Sequence, residues 1–347
     1  MLPVLALGAA LWGLGAVLRA PRNLRVAMIA ALWLAVVLLH LTLPAGHPLR
    51  LATGGEARVW LALGVVAALV AGYRAALARL RQRAPAPAPA AAPGSAVFRP
   101  AELDRYARHI ALREIGGSGQ RRLKAARVLV IGAGGLGSPA LMYLAAAGVG
   151  TIGVIDDDVV ENANLQRQVI HTDARIGMPK VFSAEIAMRA LNPFIEVRPW
   201  NRRLTDDIAE ALFAEHDLIL DGSDNFDTRY LANRVAVAAG RPLVAAAITQ
   251  WEGQVSVYHP AAGGPCFACV FPVRPAPGLV PTCAEAGVAA PLPGIIGAMM
   301  AMEAVKHLTG AGETLRGRLM IHDALYGETR AIAVRRRPDC PVCGNAP

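Results

Sequence analysis

The spacing of apolar positions divides the chain into three parts. Residues 1–83 hold three long apolar stretches, Leu2–Leu18, Leu24–Leu43 and Val59–Gly72, the last continuing amphipathically to Leu80. The second is about 20 residues, enough for a helix to cross roughly 30 Å of hydrocarbon, and the other two are shorter. The pattern predicts two to three membrane-crossing helices. Residues 84–97, which include APAPAPAAAPGS, have no apolar periodicity and predict an extended, semi-rigid linker. From 98 to 347, short apolar runs alternate with helical patterns, which predicts an α/β domain.

Within that domain, residues 101–124 predict one or two amphipathic helices ahead of a fully apolar run, Val128–Ile131. Runs without polar alternation are expected of parallel strands buried on both faces. Further strands are predicted at Ile152–Ile155, Ile195–Pro199, Asp217–Leu220, Leu243–Ala247 and Gln254–Tyr258. Helices are predicted after the first apolar strand to about Gly148, at Pro179–Leu191, near Asp206–Phe213 and at Ile295–Leu308. Two last strands, Arg318–Ile321 and Thr329–Val334, form a C-terminal β extension.

Candidate chemistry begins where the first of these strands turns into its helix. Gly132, Gly134 and Gly137 spell Gly-x-Gly-x-x-Gly there, with Gly135 inside the loop. Glycine lets the backbone turn sharply and approach a phosphate, and the helix N-terminus offers free N–H groups. The next strand ends in Asp156, nineteen residues after Gly137, where a ribose-binding carboxylate belongs. The fold expected is therefore a Rossmann-like, doubly wound, mainly parallel sheet. Asn164, Gln166 and Arg167 follow closely, and Lys180 comes thirteen residues after Arg167. A nicotinamide cofactor has little use for that cationic charge, whereas a triphosphate needs it, together with a carboxylate for its metal. Asp221 and Asp224, at the end of the strand Asp217–Leu220, suit a magnesium ligand. The competing reading is an Asx turn capping the next helix.

Charge changes the picture of the first part. Residues 1–100 carry ten arginines against one acidic residue, Glu56, while residues 101–347 carry 25 basic and 25 acidic residues. The excess of +9 is thus confined to the apolar extension, a membrane pattern rather than a nucleic-acid one. Arg19, Arg22 and Arg25 crowd the first connection and Arg74, Arg79, Arg81 and Arg83 follow the third stretch. The positive-inside rule then places the N-terminus outside the cell membrane and everything after Arg83 in the cytoplasm. The first stretch has neither the basic start nor the cleavage site of a signal peptide.

Four of the five cysteines form two Cys-x-x-Cys pairs, Cys266/Cys269 and Cys340/Cys343, separated by 70 residues. On the cytoplasmic side that spacing predicts a closed, structural four-thiolate zinc site. The fifth, Cys283, sits in a Pro-rich stretch, Pro272–Pro293. It reads either as a small buried residue or as a nucleophile holding an acyl group or persulfide.

These motifs, in the order RYARHI, IGAGGLGSPALMYLAAAGVG, IDDDVVENANLQRQVIH, GMPKV, DGSDN, PCFAC, TCAEAGV and CPVC, resemble the ubiquitin-activating-enzyme-like adenylyltransferases of sulfur-carrier proteins, the ThiF/MoeB/HesA family. The TCAEAGV stretch and the doubled Cys-x-x-Cys look closest to the molybdopterin-synthase adenylyltransferases. The resemblance implies ATP-dependent adenylation of the C-terminal Gly-Gly carboxylate of a ubiquitin-like carrier, the small subunit of molybdopterin synthase first among them. A thiamine-pathway, cysteine-pathway or tRNA-modifying carrier is the alternative, and a catalytically silent recruiting module the rival class. It implies ATP, Mg2+ and Zn2+ as cofactors. Gly134 and its neighbours would hold phosphate, Asp156 ribose, and Asn164, Arg167 and Lys180 the phosphates. Asp224, assisted by Asp158, would hold magnesium. Arg108, otherwise a solvated helix-face residue like Arg105 and Arg113, matches an arginine inserted into a neighbouring subunit's site, which implies a homodimer. His109 stands where the family commonly has Gln. The membrane extension is a departure, and the absence of a sulfurtransferase domain after the cysteines implies a separate sulfur donor.

Overall fold

A computed structural model describes residues 2–18, 20–44, 46–54, 56–83, 97–276 and 286–344. It separates into two compact units, Met1–Ser95 and Ala96–Pro347.

The first unit is helical: α1 Leu2–Val17, α2 Arg22–Thr42, α3 Pro48–Ala52 and α4 Ala57–Arg83. Two of these helices contain windows long and apolar enough to cross a membrane, Leu24–Thr42 and Ala57–Arg74; α1 is shorter. Few of their side chains are buried. Val4, Val36, Val37 and Trp60 make a small core, and Leu5, Leu14, Leu38, Val65 and Leu69 are exposed. The Trp33 indole N–H donates to the Trp60 carbonyl at 2.8 Å, which ties α2 to α4.

The second unit opens with α5 Pro100–Ile110 and α6 Gly116–Ala125, and then alternates strand and helix. The strands are β1 Arg127–Ile131, β2 Thr151–Ile155, β3 Glu196–Trp200, β4 Leu218–Asp221, β5 Leu243–Ile248, β6 Glu252–Tyr258, β7 Arg318–Asp323 and β8 Glu328–Ala333. Between them lie α7 Gly137–Ala147, α8 Lys180–Leu191, α9 Asp206–Ala214, α10 Phe226–Ala238, the single-turn α11 Phe267–Val270 and α12 Leu292–Thr309. One sheet holds all eight strands in the order β3-β2-β1-β4-β5-β6-β7-β8. The first five are parallel and the last three join antiparallel.

The apolar runs are explained by burial on both faces. Val128, Val130, Ile152 and Val154 pack with Leu141, Leu144, Met188 and Met300 of α7, α8 and α12 on one side. Leu129, Ile131, Ile155 and Ile219 pack with Leu212, Phe213 and Val235 of α9 and α10 on the other. Successive side chains point to opposite faces, so a strand buried twice shows no polar alternation. β8, at the sheet edge, is exposed along its whole length.

Strand order reverses between β1 and β4, which pair in parallel from Val128↔Leu218 to Ile131↔Asp221. A crevice at their carboxyl ends is the place an open parallel sheet offers a ligand.

Candidate active site

The crevice is floored by backbone. Gly132 has φ +90, and a Cβ there would lie 3.2 Å from the Gly222 carbonyl oxygen, so the β1 and β4 loops meet at this residue. At Gly137 a Cβ would fall 1.9 Å from the Gly132 carbonyl oxygen, a position only glycine can take. Its close approach lets α7 start directly beneath the loop. Gly135 lies against Pro293 of α12 and the Arg167 side chain, and Gly134 faces the Gln168 amide.

Asp156, at the end of β2, accepts N–H bonds from Ala133 (2.7 Å) and Asp158 (2.8 Å). Burial pushes its carboxyl above the ordinary range, while the Ala133 N–H and the charge of Lys180 pull it back. Lys180 is buried, and its Nζ rests 2.7 Å from Asp158 Oδ2, two-thirds of whose side chain remains exposed. The carboxylates of Asp156, Asp157 and Asp158 lie within 4.8 Å of one another. Asn164 is buried between Glu161 and Gln168, its Oδ1 accepting from Gln168 Nε2 at 2.6 Å. Arg167 is half-buried and donates to the Ala163 carbonyl. The structure thus brings the glycine loop, Asp156, Asn164, Arg167, Lys180 and Asp158 together at the carboxyl ends of β1 and β2.

Both readings of the β4 loop find residues to fill them. Asp221 makes the Asx turn, its Oδ1 accepting from the Ser223 N–H and hydroxyl; the side-chain cap of α10 is Asn225, which accepts from the Thr228 N–H. Asp224 is exposed, 3.5 Å from the Asn225 amide, and keeps oxygens available to a cation. Asp221 Oδ2 is buried without a hydrogen-bond partner. An acidic donor set with spare oxygens fits a hard cation such as magnesium.

Gln166 is exposed, and Gln168 two residues on is the glutamine buried under the loop. Arg108 is exposed on α5 and has no side-chain partner among the described residues, whereas Arg105 donates to the Leu191 carbonyl and stacks on Phe194. Cys283 lies outside the described residues.

Three supporting residues escaped sequence reasoning. His171 bridges the Ala133 carbonyl and Ser183 Oγ, each at 2.9 Å, and burial pushes its pKa down. Arg229, buried, donates to the Ser223 and Ala246 carbonyls. Asn233, also buried, accepts from the Phe267 N–H at 2.8 Å. Each is a polar residue inside a helix or loop, and only tertiary placement reveals what it bonds.

The two Cys-x-x-Cys pairs do converge. All four sulfurs are buried within 4.8 Å of one another. Cys266 is 3.8 Å from Cys269 and 3.6 Å from Cys340, and Cys269 is 3.4 Å from Cys343. A tetrahedral ion with 2.3 Å bonds to sulfur sets sulfurs about 3.8 Å apart, so the donor set is compatible with zinc. Burial pushes Cys266 up and Cys343 up to about 11. At Cys340 the burial is outweighed by the N–H groups of Cys343 and Val342, which bring the thiol down to about 7.

Comparison with known proteins agrees with this geometry. The ThiF family matches residues 106–342. A sulfur carrier protein adenylyltransferase of Thermus thermophilus is 50% identical over 250 residues, 71% of this chain and 92% of that protein. A SAMP-activating enzyme E1 of Haloferax volcanii is 50% identical over 243 residues, 70% and 89% of the two chains. The adenylyltransferase and sulfurtransferase MOCS3 of Bos taurus is 48% identical over 256 residues, 74% of this chain but 56% of the longer relative. Among solved structures, E. coli MccB with ATP superposes with a TM-score of 0.61 at 24% identity, covering 70% of this chain and 75% of that one, a likeness of fold.

Proposed function

The chain belongs to the ThiF family, and on that premise we propose that it is a nucleotidyltransferase that adenylates the C-terminal Gly-Gly carboxylate of a ubiquitin-like sulfur-carrier protein. The small subunit of molybdopterin synthase is the first candidate carrier, ahead of thiamine-pathway, cysteine-pathway and tRNA-modifying ones. One observation carries the reading. A glycine turn at the start of α7 (Gly132 to Gly137), a carboxylate at the end of β2 (Asp156), cationic side chains (Arg167, Lys180) and a spare carboxylate (Asp224) converge at the β1–β4 switch point.

The chemistry follows from charge. A C-terminal carboxylate has a pKa of about 3.5 and is ionised at neutral pH, so attack needs no general base. Its oxygen forms a bond to the α-phosphorus of ATP as the bond to the β-phosphate oxygen breaks, and pyrophosphate leaves. The obstacle is bringing an anion to a tetra-anion. Arg167 and Lys180 offset that repulsion and hold charge as it moves to pyrophosphate. Lys180 would exchange its Asp158 partner for phosphate oxygens. Arg108, reaching from the partner subunit of a homodimer, adds a third cation. Asp224, with Asp158 assisting, would hold Mg2+, which would supply positive charge against the triphosphate. Cys283 would act after adenylation, its thiolate displacing AMP from the acyl-adenylate to form a thioester, or taking the sulfane sulfur of a separate donor's persulfide and releasing that donor's thiol.

Cys266, Cys269, Cys340 and Cys343 would hold zinc. Four thiolates leave no open coordination position, so its part is to tie the C-terminal segment to the domain. α2 and α4, with α1 as a third, would span the cell membrane and keep the catalytic domain on the cytoplasmic side. The apolar windows and the placement of arginines support that topology.

The test is ATP–pyrophosphate exchange by the full-length chain in detergent, against a panel of carriers ending in Gly-Gly. Exchange with one carrier is expected and names the substrate. Silence with all, while ATP binds, would overturn the proposal. Anchorage predicts sedimentation with membranes through carbonate washing, and recovery in the soluble fraction would contradict it.

A further inference from the structure

The phosphate end of the crevice and the cysteine cluster share one element, α10. It starts beside Asp224 with Asn225 as its cap, and its residues Arg229, Tyr230, Asn233 and Val237 recur at spacings that put them on one side. That side is bonded at both ends. Arg229 Nη2 donates to the Ser223 carbonyl at 2.5 Å and Nη1 to the Ala246 carbonyl at 2.8 Å, pinning the turn that presents Asp224 to the end of β5. The Tyr230 hydroxyl donates to the Phe271 carbonyl at 2.8 Å, and its ring meets Phe267 edge-on at 5.3 Å.

Asn233, only 1% exposed, uses both ends of its amide on the first Cys-x-x-Cys. Oδ1 accepts from the Phe267 N–H at 2.8 Å, and Nδ2 donates to Cys266 Sγ at 3.7 Å. Cys266 immediately precedes α11, so the Asn233 side chain holds both a sulfur and the turn that positions it. Tyr230 and Val237 pack on the four cysteines as well. Asn225 to Asn233 spans about 12 Å of helix without glycine or proline, a stiff rod rather than a hinge.

We propose that α10 couples the two sites through Asn233, so that a tetrahedral divalent metal on the cysteines and nucleotide in the crevice each tighten the binding of the other. Metal fixes Cys266, Cys266 and Phe267 fix Asn233, and the rod fixes the turn carrying Asp224. Linkage makes the effect reciprocal. The inference rests on the nucleotide-binding reading above. It adds a positioning residue that touches neither nucleotide nor metal.

The experiment times zinc release from the loaded full-length chain to a chromogenic chelator. It is run with and without a non-hydrolysable ATP analogue plus Mg2+, while a fluorescent ATP analogue reports occupancy of the crevice. Nucleotide is expected to slow release about fivefold or more. Asn233→Ala is expected to bring that ratio below about twofold while still binding nucleotide. Arg234→Ala, on the exposed side of α10 and paired with Asp206, should leave the ratio intact. Should Asn233→Ala fail to hold zinc, Asn233→Asp keeps the acceptor for Phe267 and removes the donor to Cys266. An unchanged ratio in that variant, or in Asn233→Ala, would remove Asn233 from the coupling. Equal release rates in the wild type with the crevice occupied would overturn the coupling itself. A wild type that binds no nucleotide would take down the proposed function, and the coupling with it.

Discussion

The crevice and the cysteine cluster lie at two ends of one helix and are built on opposite principles. In the crevice the backbone is locked while the charges are left open. Gly137 has no room for a Cβ, yet Asp224 is exposed, and Lys180 is held by a single carboxylate that is itself mostly exposed. In the cluster every donor is buried and within reach of the others. A site that must take up and release a polyanion needs valences the fold has not satisfied. A site that only holds an ion needs none, and closes.

The comparison breaks if the two sites cannot be damaged separately. Asp224→Ala and Arg167→Ala should each lower ATP–pyrophosphate exchange by about 10³-fold or more, some 4 kcal/mol of transition-state stabilisation. Neither should move the melting temperature by more than about 2 °C or change the metal content from that of the wild type. Full exchange in either folded variant would refute the assignment. Cys266→Ser should do the converse. Loss of the metal and of the closed cluster is expected to cost several kcal/mol, or about 10 °C or more in melting temperature, read by calorimetry beside metal analysis. A variant that loses zinc and melts where the wild type does would show that the cluster carries no stability.

A smaller contrast lies inside the glycine loop. Gly137→Ala puts a methyl group 1.9 Å from a carbonyl oxygen, so it should destabilise the fold by about 1–3 kcal/mol and lose nucleotide with it. Gly134→Ala meets its nearest protein atom, Gln168 Nε2, at 3.7 Å, an ordinary contact. It should fold normally and weaken ATP about tenfold, because only the ligand needs the space. Equal melting and binding losses in the two variants, by calorimetry and titration, would contradict that division of labour.

What could be read in the sequence follows the same division. Four of the five parallel strands, β1, β2, β4 and β5, were legible because burial on both faces removes polar alternation, and the glycine loop because Gly132 and Gly137 are enforced by backbone contacts. The convergence of the four cysteines was legible because two Cys-x-x-Cys pairs are the spacing that a tetrahedral metal site uses. The bounds of α10 were not. Its sequence FDTRYLANRVAVA buries Thr228, Arg229 and Asn233 along with its apolar residues, which erases the stripe that marks a helix facing a core. Gln168 and His171 were missed for a related reason. Their partners are a loop carbonyl, another side chain and a helix hydroxyl, all brought together only by the fold.

The mildest prediction concerns acid, and it sets the two regions against each other once more. His171 lies under the glycine loop, and its pKa is pushed down by burial and then by the charges of Lys180 and Arg175, against the pull of the Ala133 carbonyl. His216, His259 and His307 are likewise pushed down by burial. For a histidine whose folded pKa lies below its unfolded value of about 6.5, the unfolded chain binds the extra proton first. Stability should therefore be level above about pH 7.5 and fall as pH drops through 6.5 and below. The Ala133 oxygen can only accept, so Nε2 carries the proton in the neutral ring and Ser183 donates to Nδ1. Protonation at Nδ1 reverses the Ser183 bond without breaking the one to the loop, which keeps the effect small. His171→Gln should retain a donor to Ala133, leave stability at pH 8 within about 1 kcal/mol of wild type, and flatten part of the slope between pH 6.5 and 5 in denaturant titrations. Metal should leave the cluster over an acid range of its own, since thiolates must take up protons to release it. If zinc loss and the His171-dependent slope coincide in pH and both disappear in His171→Gln, the two regions are a single acid-labile unit and the contrast between them fails.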